Sequence, residues 1–400
     1  MVETLPPEPA AVVDLFLTEI DERAPGLVEG LYLHGSLGFG EYHPGRSDVD
    51  FVAVLSGRAS AADLAALRAA HATVAAAYPE TPHLDGIHVL AEDLRRPPAD
   101  CPDVPTVHEK RFSPAGRFEL NPVTWHGLAE HGLTVRGTPI SELGVWTDDG
   151  ILRDFTRANL DTYWRGKLEE VTADPAGASA PWASEWCVLG VARLHHLLAL
   201  AAMTSKSGAG RYARATFDPR WRPLVEDALA VRETPDRPLE SLPYGDGTDQ
   251  RRGRDIAAFM AWVIDDALTR GPRAVAVVQR GREVLVIKRH LLGRDYAVLP
   301  GGSVEPGESF EEAAVRELWE ESTLRARVDR QLLVAEHNGR EARYFVMADV
   351  EGTPTMSGPE LEAHGPDNSY ELMWASADEF DRLALQPHHL RLDLPALLQL

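Results

Sequence analysis

The first 140 residues or so combine two periodicities, which predict a mixed α+β unit. Residues 8–22 repeat apolar positions with helical spacing, and residues 61–78 form an Ala-rich stretch without Gly or Pro. We predict a helix for each segment. Segments rich in β-branched and aromatic residues predict strands; they are 31–35, 48–55 and 83–90.

From about residue 151 the pattern becomes helical, and it stays so for more than 100 residues. The predicted helices are 152–171, 186–203, 221–233 and 255–269. Stretches rich in Pro, Ala and Gly predict loops between them, at 174–181 and 207–210, and the polar segment 233–254 predicts a turn-rich connection. We therefore expect an all-α bundle that can supply the second wall of a cleft on the first unit.

At Gly271-Pro272 the pattern changes again. Two apolar runs, 274–279 and 283–288, flank a short turn and predict a hairpin, and the remaining residues are mixed α/β. The expected fold class is thus multidomain. It has an α+β domain with a mixed sheet over 1–145, an all-α helical bundle over 146–270 and an α/β domain over 271–400.

Composition and charge exclude several classes of protein. The chain has no run of about 18 apolar residues, and its acidic, Pro-rich start is unlike a secretory signal, so we expect neither a membrane span nor export. Two cysteines, Cys101 and Cys187, are too few for a disulfide framework, which makes a cytoplasmic location the expectation. The net charge of −22 argues against a nucleic-acid scaffold. It suits a cationic small molecule, although acidity can also serve solubility alone.

Two aspartates at the start of the second predicted strand form the first candidate site. Residues i and i+2 of a strand point to the same face, so Asp48 and Asp50 present adjacent carboxylates while Val49 and Phe51 turn to the core. Adjacent like charges repel unless a divalent cation lies between them or one carboxylate is protonated. Mg²⁺ with oxygen ligands and a nucleotide triphosphate fits this arrangement. A solvated strand edge is the alternative interpretation.

A glycine–serine turn and a third acid extend this site. Gly35-Ser36 ends the preceding predicted strand and offers phosphates a close backbone approach and a hydroxyl. Asp85 lies on the next predicted strand, where its carboxylate could bind metal or accept the proton of an attacking hydroxyl.

The segment LHGSLGFGEYHPGRSDVDFVAVL resembles the motif of the polymerase-β-type nucleotidyltransferases, namely Gly-Ser followed by Asp-x-Asp. More narrowly, residues 10–270 resemble the aminoglycoside O-adenylyltransferases of the streptomycin and spectinomycin type, through NPVTWHGLAEHGLTVRG and WCVLGVARLHHLLALAAMTSKSGAGRYA. That family joins a nucleotidyltransferase domain to a C-terminal helical domain, which implies these roles for 1–145 and 146–270. The implied partners are ATP or another nucleoside triphosphate and an aminoglycoside-like hydroxyl acceptor.

The same resemblance assigns roles to individual residues. It implies that Asp48 and Asp50 bind Mg²⁺ or Mn²⁺ and that Gly35 and Ser36 bind the nucleotide. It places Asp85 where the family has its catalytic base, usually a glutamate. Lys206 matches the lysine that binds the nucleotide phosphates; an ordinary exposed lysine is the alternative. Trp182 and Glu185 lie where the family contacts the drug; a core tryptophan beside a solvated acid is the alternative.

A second acidic motif lies in the last domain. Ser309 and Glu312 have the spacing of a capping box, which predicts a helix from about residue 310. On that helix Glu317, Glu320 and Glu321 fall on one face, where they repel one another. A divalent metal that binds a pyrophosphate accounts for both the acids and the Gly-rich loop before them; a solvent-facing acidic helix accounts only for the acids.

This stretch resembles the Nudix box, with Gly302, Glu308, Arg316-Glu317 and Glu320-Glu321 in the specified positions and Thr323 in place of the last glycine. The resemblance implies an α/β/α sandwich over about 273–395 that hydrolyses a nucleoside diphosphate derivative. Mg²⁺ or Mn²⁺ would be held by the three glutamates and the Gly301 carbonyl. Gly302, Glu308 and Arg316 would order the loop. Glu320, Glu321 and, outside the box, Glu371 are the candidate catalytic groups.

The sequence thus predicts a bifunctional, magnesium-dependent enzyme with no nucleic-acid or membrane partner. One alternative keeps only the Nudix domain active and makes the transferase fold a binding or sensing module, because Asp85 replaces the usual glutamate. A purely structural adaptor would leave two separate acidic clusters without a reason.

Overall fold

The computed structural model describes residues 5–234, 236–246, 250–305, 307–358 and 364–400. It divides into two compact units. The first comprises Met1–Leu197, Ala201–Gly210 and Pro223–Ala261, and the second Leu198–Leu200, Arg211–Arg222 and Trp262–Leu400. The predicted division into three domains stays a prediction. No helix within the described residues combines the length and apolar composition needed to cross a bilayer.

The first unit is built on a mixed sheet, as the sequence predicts. Within the described residues its strands follow the order β5-β4-β3-β2-β1-β6, and only β2 and β3 run parallel. The strands are β1 (Val28–Leu33), β2 (Val49–Leu55), β3 (Leu84–Leu90), β4 (Val104–His108), β5 (Arg111–Gly116) and β6 (Leu133–Arg136).

Helices cover both faces of this sheet. They are α1 (Pro7–Arg23), α2 (Gly35–Gly38), α3 (Ala61–Ala77), α4 (Pro122–His131) and α5 (Ile140–Leu143). Alternate residues of β2 point to opposite faces. Phe51 therefore joins the core beneath α1 and α3, whereas Val52 joins the core that contains Trp125 of α4.

The all-α region contains α6 (Asp149–Asn159), a π-helical segment (Leu160–Trp164), α7 (Arg165–Ala173), α8 (Pro181–Leu200), α9 (Lys206–Thr216), α10 (Arg222–Glu233) and α11 (Arg251–Thr269). The prediction of a loop at 207–210 is wrong, because these residues lie inside α9. A Cβ at Gly210 would lie 2.5 Å from Leu229 and 2.9 Å from Leu189. The glycine thus permits close helix packing and does not mark a helix end. Helix α11 begins at Arg251, so the connection predicted over 233–254 ends earlier than the sequence suggests.

A buried ion pair joins three of these helices. Asp227 of α10 accepts hydrogen bonds from Arg252 Nε and NH2 of α11, at 2.9 and 3.0 Å, and from Ser184 Oγ of α8, at 2.8 Å. Both charged side chains are fully buried. Asp227 and Arg252 form a bidentate ion pair. Its short charge-assisted hydrogen bonds offset the free energy needed to remove both charges from water.

The second unit contains two sheets within the described residues, in the orders β10-β9-β14 (with β8 on β9) and β11-β7-β13-β12. The strands are β7 (Arg273–Val277), β8 (Gln279–Arg280), β9 (Glu283–Leu291), β10 (Arg294–Val298), β11 (Gly301–Ser303), β12 (Arg325–His337), β13 (Arg340–Glu351) and β14 (Asn368–Ser376). The predicted hairpin is confirmed only at its turn, where β8 pairs with β9. Strand β7 instead pairs parallel with β13.

Helices α12 (Phe310–Ser322) and α13 (Leu390–Leu398) pack on separate apolar cores. Ala274 and Ala276 of β7 share a core with α12, whereas Val275 and Val277 share one with α13. Since side chains alternate along a strand, the helices cover opposite faces, as in an α/β/α sandwich. A capping box of Ser309 and Glu312 begins α12.

Candidate active sites

The first site gathers three aspartates at the start of two parallel strands. Asp50 on β2 is directly opposite Asp85 on β3 in the strand register. Asp48 precedes β2, and its Oδ1 accepts a hydrogen bond of 3.2 Å from the His83 N–H. Val49 between the two is completely buried. The alternation along β2 therefore brings Asp48 and Asp50 to one side, next to Asp85.

The turn before these strands has a backbone that only glycine accommodates well. Gly35 has φ +61°, and a Cβ at this position would lie 2.0 Å from Asp50 Oδ2. The adjacent Ser36 has a buried Oγ without a hydrogen-bond partner. Asp85 has one such oxygen, Oδ1, while its Oδ2 accepts a 3.1 Å hydrogen bond from the Glu109 N–H. Buried polar atoms are rarely left unpaired, so these atoms indicate room for a ligand.

The carboxylates perturb one another strongly. Burial and the charges of Glu119, Asp48 and Asp85 raise the pKa of Asp50 to about 8. Burial also raises the pKa of Asp85, although the hydrogen bond from Glu109 opposes the shift. Adjacent carboxylates that repel one another fit a divalent cation, whose charge would favour the ionised form of Asp50. Asp48 and Asp50 are the residues that fit this ion by their chemistry and position.

A cavity of about 850 Å³ brings the helical region to the same site. Its lining includes Asp48, Lys206 at the start of α9, and Trp182 and Glu185 near the start of α8. Burial lowers the pKa of Lys206, while Glu185 and Asp48 oppose the shift. The structure thus places four residues singled out in the sequence around one cavity.

The two α8 residues differ in their surroundings. Trp182 is 57% exposed, so it is not the core residue of the alternative interpretation. Glu185 is buried, and its Oε1 accepts a hydrogen bond of 2.9 Å from Arg232 NH1. Its other oxygen lies 4.0 Å from Arg46 NH1. The Glu185 carboxylate is therefore already paired with basic side chains of the protein.

Sequence reasoning missed two charged residues of this site. Glu119 is half-buried, adopts φ +61° and accepts a hydrogen bond from the Thr124 hydroxyl. The charge of Glu119 raises the pKa of Asp50. The second missed residue is Arg193. Burial lowers the pKa of Arg193, and the charges of Asp50 and Glu119 oppose that shift. Arg193 lies in a segment that carries the family resemblance, but neither residue is part of the Gly-Ser and Asp-x-Asp motif, and the fold brings both close to Asp50.

The second site surrounds the start and middle of α12. Arg316 Nε and NH2 donate hydrogen bonds of 2.9 and 3.0 Å to Glu308. Its NH1 donates to Glu317 at 2.9 Å and to Glu320 at 3.0 Å. The guanidinium therefore contacts both the loop glutamate and two of the three helix glutamates.

The glycine loop packs directly against this helix face. A Cβ at Gly302 would lie 2.1 Å from Glu317 Oε1, and the Gly301 N–H donates a 2.8 Å hydrogen bond to Glu321 Oε2. The Gly301 carbonyl accepts a hydrogen bond from Arg273. Within the described residues no three His, Cys, Asp or Glu side chains are already arranged as a metal cage. The carboxylates fit a divalent ion by their chemistry, and Glu317 and Glu320 would exchange an arginine contact for it.

Two further predicted positions have clear surroundings. Thr323 ends α12 with φ +59°, the left-handed conformation that glycine adopts at lower cost. Glu371 lies on β14 in the other sheet, is mostly exposed, and has an oxygen 3.8 Å from Lys288 Nζ. Its role as a base stays a prediction.

Two models of known protein families match the parts of the chain that contain these sites. A family model described as a nucleotidyltransferase domain matches residues 13–92, and one described as a NUDIX domain matches residues 269–393. The putative 8-oxo-dGTP diphosphatase of Bacillus subtilis (strain 168) is 42% identical over 60 residues, which is 14% of this chain. The match spans only 38% of that curated relative's length.

Solved structures are similar to each part of the chain. The spectinomycin adenyltransferase AAD(9) from Enterococcus faecialis, crystallised with ATP and spectinomycin, is 11% identical with a TM-score of 0.46; the match covers 64% of this chain and 98% of that one. The E. coli ORF135 protein is 27% identical with a TM-score of 0.26, covering 32% of this chain and 89% of its own.

Proposed function

We propose that this chain, which joins a nucleotidyltransferase domain to a NUDIX domain, transfers AMP from ATP to a hydroxyl of an aminoglycoside-like acceptor and separately hydrolyses a nucleoside diphosphate derivative. The main observation in favour of the transferase activity is the cluster of three carboxylates, from Asp48, Asp50 and Asp85, beside a cavity that Lys206 also lines. A cytoplasmic location remains a prediction from the cysteine content.

In the transfer reaction the acceptor oxygen attacks the α-phosphorus of ATP. The bond between that phosphorus and the bridging oxygen to the β-phosphate breaks, and pyrophosphate leaves. Asp85 accepts the hydroxyl proton, a role favoured by its raised pKa and its unpartnered Oδ1. Lys206 binds the triphosphate. Asp48 and Asp50 would hold magnesium, whose positive charge would orient and neutralise the phosphates.

The acceptor lies against the α8 side of the cavity. Trp182 offers an exposed aromatic surface, and Asp174 adds an exposed carboxylate to the lining. Glu170 also lines the cavity, but both of its oxygens accept hydrogen bonds from Lys167 Nζ, at 2.8 and 3.1 Å. An aromatic wall beside an exposed carboxylate suits a cationic acceptor with ring faces. Because Glu185 is already paired with Arg232, we assign it a positioning role beside the phosphates and not the main contact with the acceptor.

The test is to incubate the protein with ATP, Mg²⁺ and either spectinomycin or streptomycin, and to search for adenylylated product by mass spectrometry. Asp48→Asn should abolish product, whereas Asp14→Asn, on the exposed side of α1, should not. If a broad acceptor panel yields no product while ATP still binds, the acceptor assignment is wrong. The transferase fold would then be the binding module of the alternative hypothesis.

In the hydrolase half, water attacks a phosphorus of the diphosphate and the P–O–P bond breaks. Glu317, Glu320 and Glu321 would hold the metal ion, which lowers the charge of the diphosphate, while Arg316 and Glu308 fix the loop against α12. A panel of nucleoside diphosphate derivatives tests this assignment. Glu320→Gln should remove turnover, and Glu311→Gln, exposed on the same helix, should retain it. Unchanged turnover in Glu320→Gln would refute the assignment.

A further inference from the structure

One face of the β12-β13-β7 sheet gathers basic and hydroxyl side chains that the proposed hydrolysis does not use. We call Arg273, His337, Arg340, Tyr344 and His389 the Arg–His cluster. The first four lie on strands β7, β12 and β13, and the fifth directly precedes α13. The Tyr344 and His389 rings lie 6.5 Å apart in an edge-to-face arrangement.

Four polar atoms of this cluster are buried without a hydrogen-bond partner. They are Arg273 Nε, His337 Nδ1, Tyr344 Oη and His389 Nε2. Tyr344 is completely buried, and the other three residues keep some accessible surface. Native proteins leave few such atoms, and an unpaired buried donor is costly. Four in one cluster indicate a missing partner, which must be an acceptor for the Arg273 Nε–H.

The charges of the cluster point to an anion. Burial and the positive charges of Arg273, Arg340 and His389 lower the pKa of His337 to about 3. Burial, Arg273 and Arg270 lower the pKa of Arg340 to about 10, opposed only by Asp266. Asp266 is itself 2.9 Å from Arg270 NH2. An anion among these side chains would offset the repulsion that adds to the effect of burial on both groups.

The Arg–His cluster also contacts the glycine loop that packs against α12. Arg273 donates a hydrogen bond to the Gly301 carbonyl, and Arg340 NH1 donates one of 3.1 Å to Ser303 Oγ. Gly301 and Ser303 are the first and last residues of β11, which pairs with β7. An anion held here would therefore lie beside the loop that contacts the helix glutamates.

We propose that the Arg–His cluster binds a phosphoryl group, either of the NUDIX substrate or as free phosphate. Arginine, histidine and tyrosine side chains with unpartnered buried polar atoms on one face of the sheet suit a tetrahedral oxyanion with several acceptor oxygens. This inference rests on the proposed hydrolase function for the identity of the substrate, but not for the existence of the site. Its test can therefore be separated from turnover.

The experiment measures binding without metal and without catalysis. The full chain is titrated in EDTA with sodium phosphate, with sodium sulfate and with sodium chloride at matched ionic strength, by calorimetry and by thermal unfolding. We expect phosphate and sulfate to bind and raise Tm, and chloride to do neither. A nucleoside 5′-monophosphate that binds at least tenfold more tightly than phosphate assigns the site to the substrate. Equal affinities assign it to free phosphate.

Two variants and a control locate the binding. Arg340→Gln should weaken phosphate binding at least tenfold, and it should raise Tm in phosphate-free buffer because it relieves repulsion within the cluster. Tyr344→Phe removes one hydroxyl with little change in shape and should weaken binding severalfold. Arg327→Gln is the matched control, since Arg327 is exposed and paired with Asp349 on the same sheet.

The outcomes separate this proposal from the hydrolase assignment. Phosphate binding that Arg340→Gln removes, in a protein without nucleotide hydrolysis, would support the anion site and reject the hydrolase. Absence of phosphate and monophosphate binding in EDTA would overturn the anion site even in an active hydrolase. Binding that is equal in all variants would also overturn it. A purely structural role for Arg340 predicts a lower Tm in Arg340→Gln, which would contradict the proposal as well.

Discussion

Asp50→Asn should make the metal-free protein more stable while it removes the transferase activity. Asp50 is half-buried beside Asp48, Asp85 and Glu119, and its pKa is raised to about 8 from an ordinary 3.8. At pH 7 the folded protein keeps a proton that the unfolded chain has released. About three pKa units separate pH 7 from the ordinary value, and at ~1.4 kcal/mol per unit the penalty is at most about 4 kcal/mol. Solvent in the cleft screens part of this, so we expect a gain of roughly 1–3 kcal/mol.

The assay is urea unfolding in EDTA at pH values from 5 to 9. A carboxyl with a raised folded pKa destabilises fully above pH 8, and the penalty fades as the pH falls toward 3.8. The wild-type protein should therefore lose stability as the pH rises from 5 to 8, and Asp50→Asn should lose less. Asp14→Asn, exposed on α1, is the control and should match the wild type. A destabilised Asp50→Asn with an unchanged pH slope would refute the reasoning.

Three other predictions concern stability. Thr323→Gly should stabilise the protein by about 1 kcal/mol in urea unfolding, because glycine adopts φ +59° without the cost that a β-branched residue has; an unchanged or lower stability would contradict this. His88 and His71 are buried with Nε2 atoms 3.1 Å apart, and burial lowers the pKa of His88 to about 4 and that of His71 as well. The two neutral imidazoles therefore lower the free energy of unfolding only below pH 6.5, as the pH falls toward 4, and His88 alone lowers it by about 2 kcal/mol at pH 5. A double His→Phe variant that loses as much stability in acid as the wild type would exclude this pair as the source of the loss. Arg252→Met should cost about 3–5 kcal/mol, because it leaves the Asp227 carboxylate buried and unpaired; an Asp227→Asn change added to it should recover part of the loss.

The local parts of both sites were predictable from sequence, because short-range geometry determines them. A strand places Asp48 and Asp50 on one side, and a helix places Glu317 and Glu321 on one face. The capping box that begins α12 likewise depends on residues only three positions apart.

The rest depends on contacts between residues far apart in the chain. Glu119 acts on Asp50, and both acids act on Arg193, although the three residues are far apart in the chain. The sequence predicts a loop at Gly210, since no local signal reveals the leucines that pack against it. The pairing of β7 with β13 likewise follows from sheet topology and not from the short turn at Gly281.

The central claim is that two separate carboxylate sites on one chain perform two separate reactions. The most direct measurement assays AMP transfer and diphosphate hydrolysis side by side in wild type, Asp48→Asn and Glu320→Gln, with circular dichroism to confirm folding. The account predicts that Asp48→Asn loses only transfer and Glu320→Gln loses only hydrolysis. Loss of both reactions in either folded variant, or of neither, would contradict it.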